Sequence, residues 1–298
     1  MLPADDPRRA LEVVIAGHCR SLLYQAEGDP GHLNAAIASG LSCIEDEQLD
    51  RLLQLTVAGM VASARILRWE RRGELADLTE AIETLRQVVA EGPPGVPDRP
   101  MYLAQLGLAL LMRYELSEDD AHLNEAGQCG SEASAAVGDE DPARGEILSI
   151  TALILSHGGR RHDGEPTLLE ASLQTSEEAV RVSPPGSANR FRVLNHHVAV
   201  LMCAGELLRR GDLLGQAIEV GQAMLDQLPP GHQRRGACLA NVATAARMRF
   251  DQSGDTADAE LAVSAWRAVS QAEELFPWTR LDAAQKWGLL EGASSGTR

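Results

Sequence analysis

Apolar residues along this chain recur at the spacing of one helix face, and nowhere do they alternate as in a strand. Leu103-x-x-Leu106-Gly107-x-x-Leu110 places large residues at i, i+3 and i+7, with a small residue where helices must approach closely. Leu148-x-x-Thr151-Ala152-x-x-Leu155 and Leu239-x-x-Val242-Ala243-x-x-Ala246 keep the pattern, and Val13-x-x-Ala16-Gly17 begins it. Longer helices are expected near 8–24, 47–70, 98–114, 143–157, 187–209 and 233–250. A shorter helix follows each, announced by a glycine, an acid, or both: Gly28-Asp29-Pro30, Gly73-Glu74, Glu118-Asp119, Gly164-Glu165-Pro166, Gly211-Asp212 and Gly254-Asp255. The glycine can end one helix in the left-handed conformation, and the acid can cap the next. Shorter and longer helices are joined by Gly92-Pro93-Pro94-Gly95, Pro184-Pro185-Gly186 and Pro229-Pro230-Gly231, or by the acidic runs Glu45-Asp46-Glu47 and Gly138-Asp139-Glu140-Asp141-Pro142. The pattern predicts an all-α chain built from helical hairpins.

The hairpins repeat. A small residue of the shorter helix falls at Ala36, Ala81, Ala126, Ala171, Ala217 and Ala262, at intervals of 45 or 46. The residue ending the longer helix falls at Tyr24, Trp69, Tyr114, Gly159, Ala204 and Phe250, at the same intervals. Two markers in phase along the chain indicate stacked supersecondary units. The units lie near 8–45, 47–91, 98–137, 143–182, 187–228 and 233–275, with a capping helix near 279–290, and the expectation is one continuous array over 1–298.

The Leu103-x-x-Leu106-Gly107 stripe, with Ala81-x-x-x-Leu85 and Pro93, resembles the tetratricopeptide (TPR) pattern, although that unit is about 34 residues long and this one is 45. The longer form is similar to actinobacterial TPR arrays with units like "GDPADLDEAI…TPPGHPDR…LGxALxxRYE", often found N-terminal to a caspase-like (CHAT) peptidase domain. The resemblance implies a right-handed superhelical solenoid of about six hairpins plus a C-terminal cap. The stretch Pro277-Trp278-Thr279-Arg280-Leu281 looks like the segment after the last repeat in such proteins. No peptidase domain is read in the chain, so that activity is not carried over.

The resemblance also implies a concave groove lined by the longer helices. Its candidate residues are Met101, Gln105, Leu108, Leu111 and Leu153 in the middle of the chain, and Phe191, Leu194, Asn195, Val198, Leu201, Asn241 and Arg247 further on. Two readings stand for this surface: a groove for an apolar peptide or amphipathic helix, or a seam that its own side chains fill. Asn195 and Asn241 are equivalent, with Gln105 in register. In peptide-binding TPR proteins an asparagine here holds the ligand backbone, and the alternative is a hydrogen bond between helices of the array.

Composition narrows the partner. The formal net charge is −16 and Lys286 is the only lysine. An acidic body repels phosphate backbones, which argues against nucleic acid. No apolar run is long enough for a membrane span, and MLPADDPRRALEVV lacks a signal core, so the chain reads as cytoplasmic. Cys19, Cys43, Cys129, Cys203 and Cys238 are scattered and odd in number, which suits reduced thiols rather than a disulfide frame or zinc site. No phosphate loop, nucleophile elbow or metal-ligand spacing stands out, so no cofactor, metal or catalytic residue is assigned. His196 and His197 are adjacent and point about 100° apart on a helix. His157 and His162 flank the irregular Gly158-Gly159-Arg160-Arg161, read as either a binding notch or a degenerate repeat. Arg68, Arg113 and Arg249 precede the repeat's aromatic; their stems are expected to cover it and their heads to meet acids on the next hairpin. The leading function is a non-catalytic scaffold or adaptor for an unidentified protein or peptide. Alternatives are a sensor module of a CHAT-type system and an enzyme or small-molecule sensor built on the histidines.

Overall fold

The computed structural model describes residues 8–46, 49–93, 98–162, 164–187, 189–229, 232, 234–272 and 277–295. Glu47, Pro94, Gly95, Pro230 and Gly231, placed in loops by the sequence, lie outside the described residues. All regular structure among the described residues is helical. The longer helices are α1 (Arg9–Glu27), α3 (Arg51–Arg72), α5 (Arg99–Ser117), α7 (Arg144–Arg161), α9 (Arg190–Leu207) and α11 (Arg234–Ser253). They alternate with α2 (Pro30–Ile44), α4 (Leu75–Glu91), α6 (Asp120–Ala136), α8 (Pro166–Val182), α10 (Gly211–Asp226) and α12 (Thr256–Gln271), and α13 (Pro277–Ser295) follows. None of the described helices is long and apolar enough to cross a membrane.

The chain forms two compact units, Met1–Ile154 and Leu155–Arg298, with the boundary inside α7. In the first, α1, α2 and part of α3 enclose a core around Val14, Leu33, Ile37, Val57 and Met60. The other side of α3 joins α4, α5, α6 and the start of α7 around Leu78, Leu85, Leu103, Leu110 and Ile150. In the second unit, Leu169, Val193, Val200, Leu214, Val242 and Val269 are buried.

The turns follow local chemistry. Gly28, Gly73, Gly164 and Gly254 take positive φ between 69° and 79° at the ends of the longer helices. Glu118 fills the same slot at φ 55°, as expected from the interval, but in the fifth hairpin the left-handed residue is Arg209 at φ 53°. Gly211 instead begins α10, because α9 stops at Leu207 and the Arg210 N–H closes the turn on the Gly205 carbonyl at 2.9 Å. The capping role holds for the aspartates: Asp29, Asp119 and Asp255 accept from the amides of Gly31, Ala121 and Ala257 at 2.8, 3.0 and 3.0 Å. Glu74 and Glu165 make no such cap, and Asp212 pairs with Arg210 at 2.6 Å. A glutamate's extra methylene carries its oxygens past the amides that an aspartate reaches.

Facing helices of a hairpin boundary are matched in size. Partners from α2/α3 onward stand 21 residues apart, as Gly130 and Thr151 do. Gly40 sits so close to Val61 that an added Cβ would overlap its Cγ2. The Thr151 hydroxyl donates to the Gly130 carbonyl at 3.1 Å. Ser176 faces His197, and Gly221 faces Val242. At these four boundaries the residue on the shorter helix is small, which keeps the layers at packing distance, whereas the same register at α4 and α5 sets Leu85 and Leu106, both buried leucines.

Candidate functional site

The candidate groove residues divide by burial. In the first unit Leu108 and Leu111 are core residues, 6% and 1% exposed, and they offer no surface to a ligand. Met101, Gln105 and Leu153 are half-buried. Gln105 on α5 accepts from the Ser63 hydroxyl on α3 at 2.6 Å. Beside it the Tyr102 ring lies against Gly59, where a Cβ would overlap the ring, and burial pushes the Tyr102 hydroxyl pKa up. The first-unit surface is thus a seam between α3 and α5, filled largely by its own side chains.

In the second unit Val198 and Leu201 are likewise core, 1% and 0% exposed. Both belong to the register that packs α9 inward. The resemblance implies an open face for Leu108, Leu111, Val198 and Leu201, and the structure buries them, because an apolar residue one position round the helix satisfies either face. Phe191, Leu194, Asn195, Asn241 and Arg247 remain half-buried at the surface. The Asn241 amide on α11 donates to the Asn195 side-chain oxygen on α9 at 2.9 Å. This is the helix-to-helix bond, as in the Ser63–Gln105 pair of the first unit. Only the Asn195 oxygen is used in that bond, so its two amide hydrogens stay available at the surface.

Arginines gather around this pair. The Arg234 guanidinium lies 4.6 Å from the centre of the Phe191 ring. Burial, and then the positive charge of Arg192, push the Arg234 pKa down. Arg192 stands three residues before Asn195, and Arg234 seven before Asn241, so each arginine shares a helix face with its asparagine. The two guanidinium groups therefore lie in one neighbourhood of α9 and α11. Arg247, further along α11, is tied to Asp251 at 2.8 Å. No lysine stands here, and a sequence pattern that looks for lysines overlooks Arg192 and Arg234.

His196 and His197 are buried among packing residues, His157 is half-buried and His162 is exposed. Burial pushes His196 down to about 3, with Arg192 adding to the shift, and His157 down to about 4. His197 is also held down by burial. His197 Nδ1 meets Ser176 Oγ at 3.0 Å, and that hydroxyl also reaches the Leu173 carbonyl at 2.9 Å. Where the repeat loses its aromatic, Leu169 fills the space: a Cβ on Gly159 would lie 2.7 Å from Leu169 Cδ2. The irregular stretch is closed at that point. No group of His, Cys, Asp or Glu suited to a metal occurs among the described residues. Cys19 is exposed and the other four thiols are buried.

The repeat's other charges build the scaffold. Arg68 grips Asp77 through Nε at 2.7 Å and Nη2 at 2.5 Å, and reaches Asn34 at 3.0 Å. Arg249 repeats the fork on Asp258, so both acids stand on the shorter helix of the arginine's own hairpin rather than on the next hairpin, because the chain turns back after nine residues. Arg113 departs from the expectation: the residue nine positions on, where Asp77 and Asp258 stand, is His122. The structure adds a second arginine register, Arg144, Arg190, Arg235 and Arg280, that sequence reasoning missed. Each donates to carbonyls near the end of the preceding shorter helix: Val137 at 3.2 Å, Ser183 at 2.7 Å, Leu228 at 2.6 Å and Ser270 at 3.1 Å. Gln54 does the same to Asp46 at 3.4 Å. Arg99 holds the register but bonds Glu132 at 2.7 Å instead.

No protein-family model matches the chain, and no curated protein matches it. Among solved structures, the chain is similar to nearly identical TPR-like repeats of a Podosopora anserina protein assigned to the kinesin light chains. One of these structures, of a point variant, shares 18% identity at a TM-score of 0.50, over 74% of this chain and 97% of that one. A second structure of those repeats shares 16% identity at a TM-score of 0.48, over 74% and 98%. At this identity the first likeness shows the fold: an array of TPR-like helical hairpins.

Proposed function

We propose that the chain is a non-catalytic protein-binding scaffold whose ligand face is the outer surface of α9 and α11 around Asn195 and Asn241. The observation that carries this reading is the Asn241–Asn195 bond between α11 and α9, with the Arg234 guanidinium over the Phe191 ring one turn before Asn195. The free amide hydrogens of Asn195 suit the carbonyls of an extended peptide backbone. A guanidinium here, Arg192 or Arg234, suits a carboxylate through its planar fork of donors. Phe191, half-buried, gives an apolar side chain a surface to lie on. The ligand is therefore an extended segment bearing an acidic side chain or a C-terminal carboxylate.

The test is peptide display from a random library against the whole chain, followed by titration of the selected peptides by fluorescence anisotropy. Acidic peptides should be enriched, and their binding should weaken about tenfold or more in Asn195→Ala and in Arg234→Ala, and fall as salt rises. A library that yields no binder, or binders indifferent to both substitutions, would refute the assignment.

A further inference from the structure

Arg99 stands in the same register as Arg144, Arg190 and Arg235, at intervals of 45 or 46 residues, yet its head lies elsewhere. Each of those three donates to the carbonyl of the residue seven positions back, Val137, Ser183 and Leu228, beyond the end of the shorter helix before it. Arg99 instead donates through Nη1 to Glu132 on α6 at 2.7 Å. The consequence shows at Arg99 Nε, which is buried and has no acceptor among the described residues. A buried N–H left in that way is rare in a folded chain.

The end of α4 has the same need that the other arginines meet. Arg190 also reaches the Val180 carbonyl and Arg235 the Leu225 carbonyl, each ten positions back. A proline stands four residues after each of those carbonyls, Pro184 and Pro229, and brings no N–H to close the last helical bond. Val89 has both intervals, with Pro93 four residues on and Arg99 ten residues on. A hollow between α3, α4 and α5 lies at this point, bounded by Leu55, Val88, Gly92, Arg99 and Tyr102. Gly92 is the residue seven positions before Arg99, so the hollow has the arginine on one wall and its register partner on another.

The acid that draws Arg99 away permits the diversion without imposing it. Glu132 stands 33 residues after Arg99, and Glu177 stands 33 after Arg144. Arg99 takes the carboxylate, whereas Arg144 takes the Val137 carbonyl, with Asp139 3.4 Å from its head. After Arg190 and Arg235 that position is Ala223 and Ala268, and both arginines take carbonyls.

We propose that Arg99 is a two-position clasp. On Glu132 it ties α5 to α6 within one hairpin, and on the carbonyls of Val89 and Gly92 it ties α5 back to α4 and closes the boundary between hairpins. Glu132 is the more exposed half of the present pair, 55% against 21% for Arg99, so neutralising Glu132 selects the second position. This inference does not depend on the ligand face of α9 and α11.

Hydrogen exchange of the full chain, resolved to the last turn of α4, tests the clasp in Glu132→Ala, a change at an exposed residue. Amides from Val88 to Gly92 should exchange about fivefold or more slowly than in the natural chain, because a charged donor then holds the end of that helix. Made on an Arg99→Met background, the same substitution should leave those amides unchanged. That comparison separates the clasp from any gain that alanine brings to α6 itself. Unaltered or faster exchange at the end of α4 in Glu132→Ala overturns the proposal. So does a slowing that persists without Arg99.

Discussion

Glu118 and Arg209 hold positive φ values of 55° and 53° where four other hairpins have glycine. A side chain in that region costs about 1–2 kcal/mol, while glycine costs unfolded-state entropy, so the net gain from glycine is smaller. Glu118→Gly and Arg209→Gly should each stabilise the chain by about 0.5–1 kcal/mol, read as a higher denaturant midpoint at unchanged slope. His196 sets a different test. Its folded pKa of about 3 lies below the ordinary value of 6.5, so the unfolded chain binds the proton first as pH falls. The stability it contributes is complete above about pH 6.5 and is lost on acidification toward pH 3, at about 1.4 kcal/mol per pH unit. Melts between pH 7 and pH 5 should fall more steeply for the natural chain than for His196→Leu. At this scale the glycine slots are legible in the sequence because each serves one backbone need. The small residue facing His197 is not, because Ser176 lies 21 positions away and only packing pairs them.

Arg235 shows how one helix is fixed to the next. Its Nη1 donates to Leu225 at 2.9 Å and Leu228 at 2.6 Å, carbonyls in and just past the last turn of α10, where Leu225 also accepts from the Leu228 N–H at 3.1 Å. The positive charge also meets the negative end of the helix dipole. Arg235→Ala should cost about 1.5–3 kcal/mol, the range for hydrogen bonds to a charged group, and hydrogen exchange should speed up first in the last turn of α10. An equal loss of protection in every helix of the unit would show that the contact does not act as a local cap. This register repeats at 45 or 46 residues from Arg99 to Arg280, as plainly as the aromatics do. Its role is hidden in the sequence because its acceptors are backbone carbonyls, which no side-chain pattern displays. The candidate site is legible to the same degree: the repeat interval makes Asn195 and Asn241 equivalent, but their bond and the nearness of Arg192 to Arg234 depend on how α9 and α11 lie side by side. The burial of Leu108, Leu111, Val198 and Leu201 likewise depends on how each helix packs against its neighbours.

Stacked hairpins draw most of their stability from neighbours in sequence, so damage should stay local. The first unit makes this testable because, among the described residues, its two cores meet at α3, which gives Val57, Met60, Val61 and Ala64 to one and Ala62 and Ile66 to the other. Leu33 is fully buried in the first core and Leu110 in the second. Replacing either by alanine removes comparable apolar surface and leaves a cavity, at a cost of about 2–5 kcal/mol. Were the unit one cooperative block, both substitutions would lower the protection of every slowly exchanging amide equally. If neighbours govern stability, Leu33→Ala should lower native-state protection in α1 and α2 and leave α5 and α6 near their original values. Leu110→Ala should do the reverse at α5 and α6, while α1 and α2, held to α3 by their own core, change less. Hydrogen exchange resolved by helix distinguishes the two patterns. Uniform loss after Leu33→Ala would contradict the nearest-neighbour account, whereas confined loss would mark the first hairpin as the segment of this unit that opens most readily.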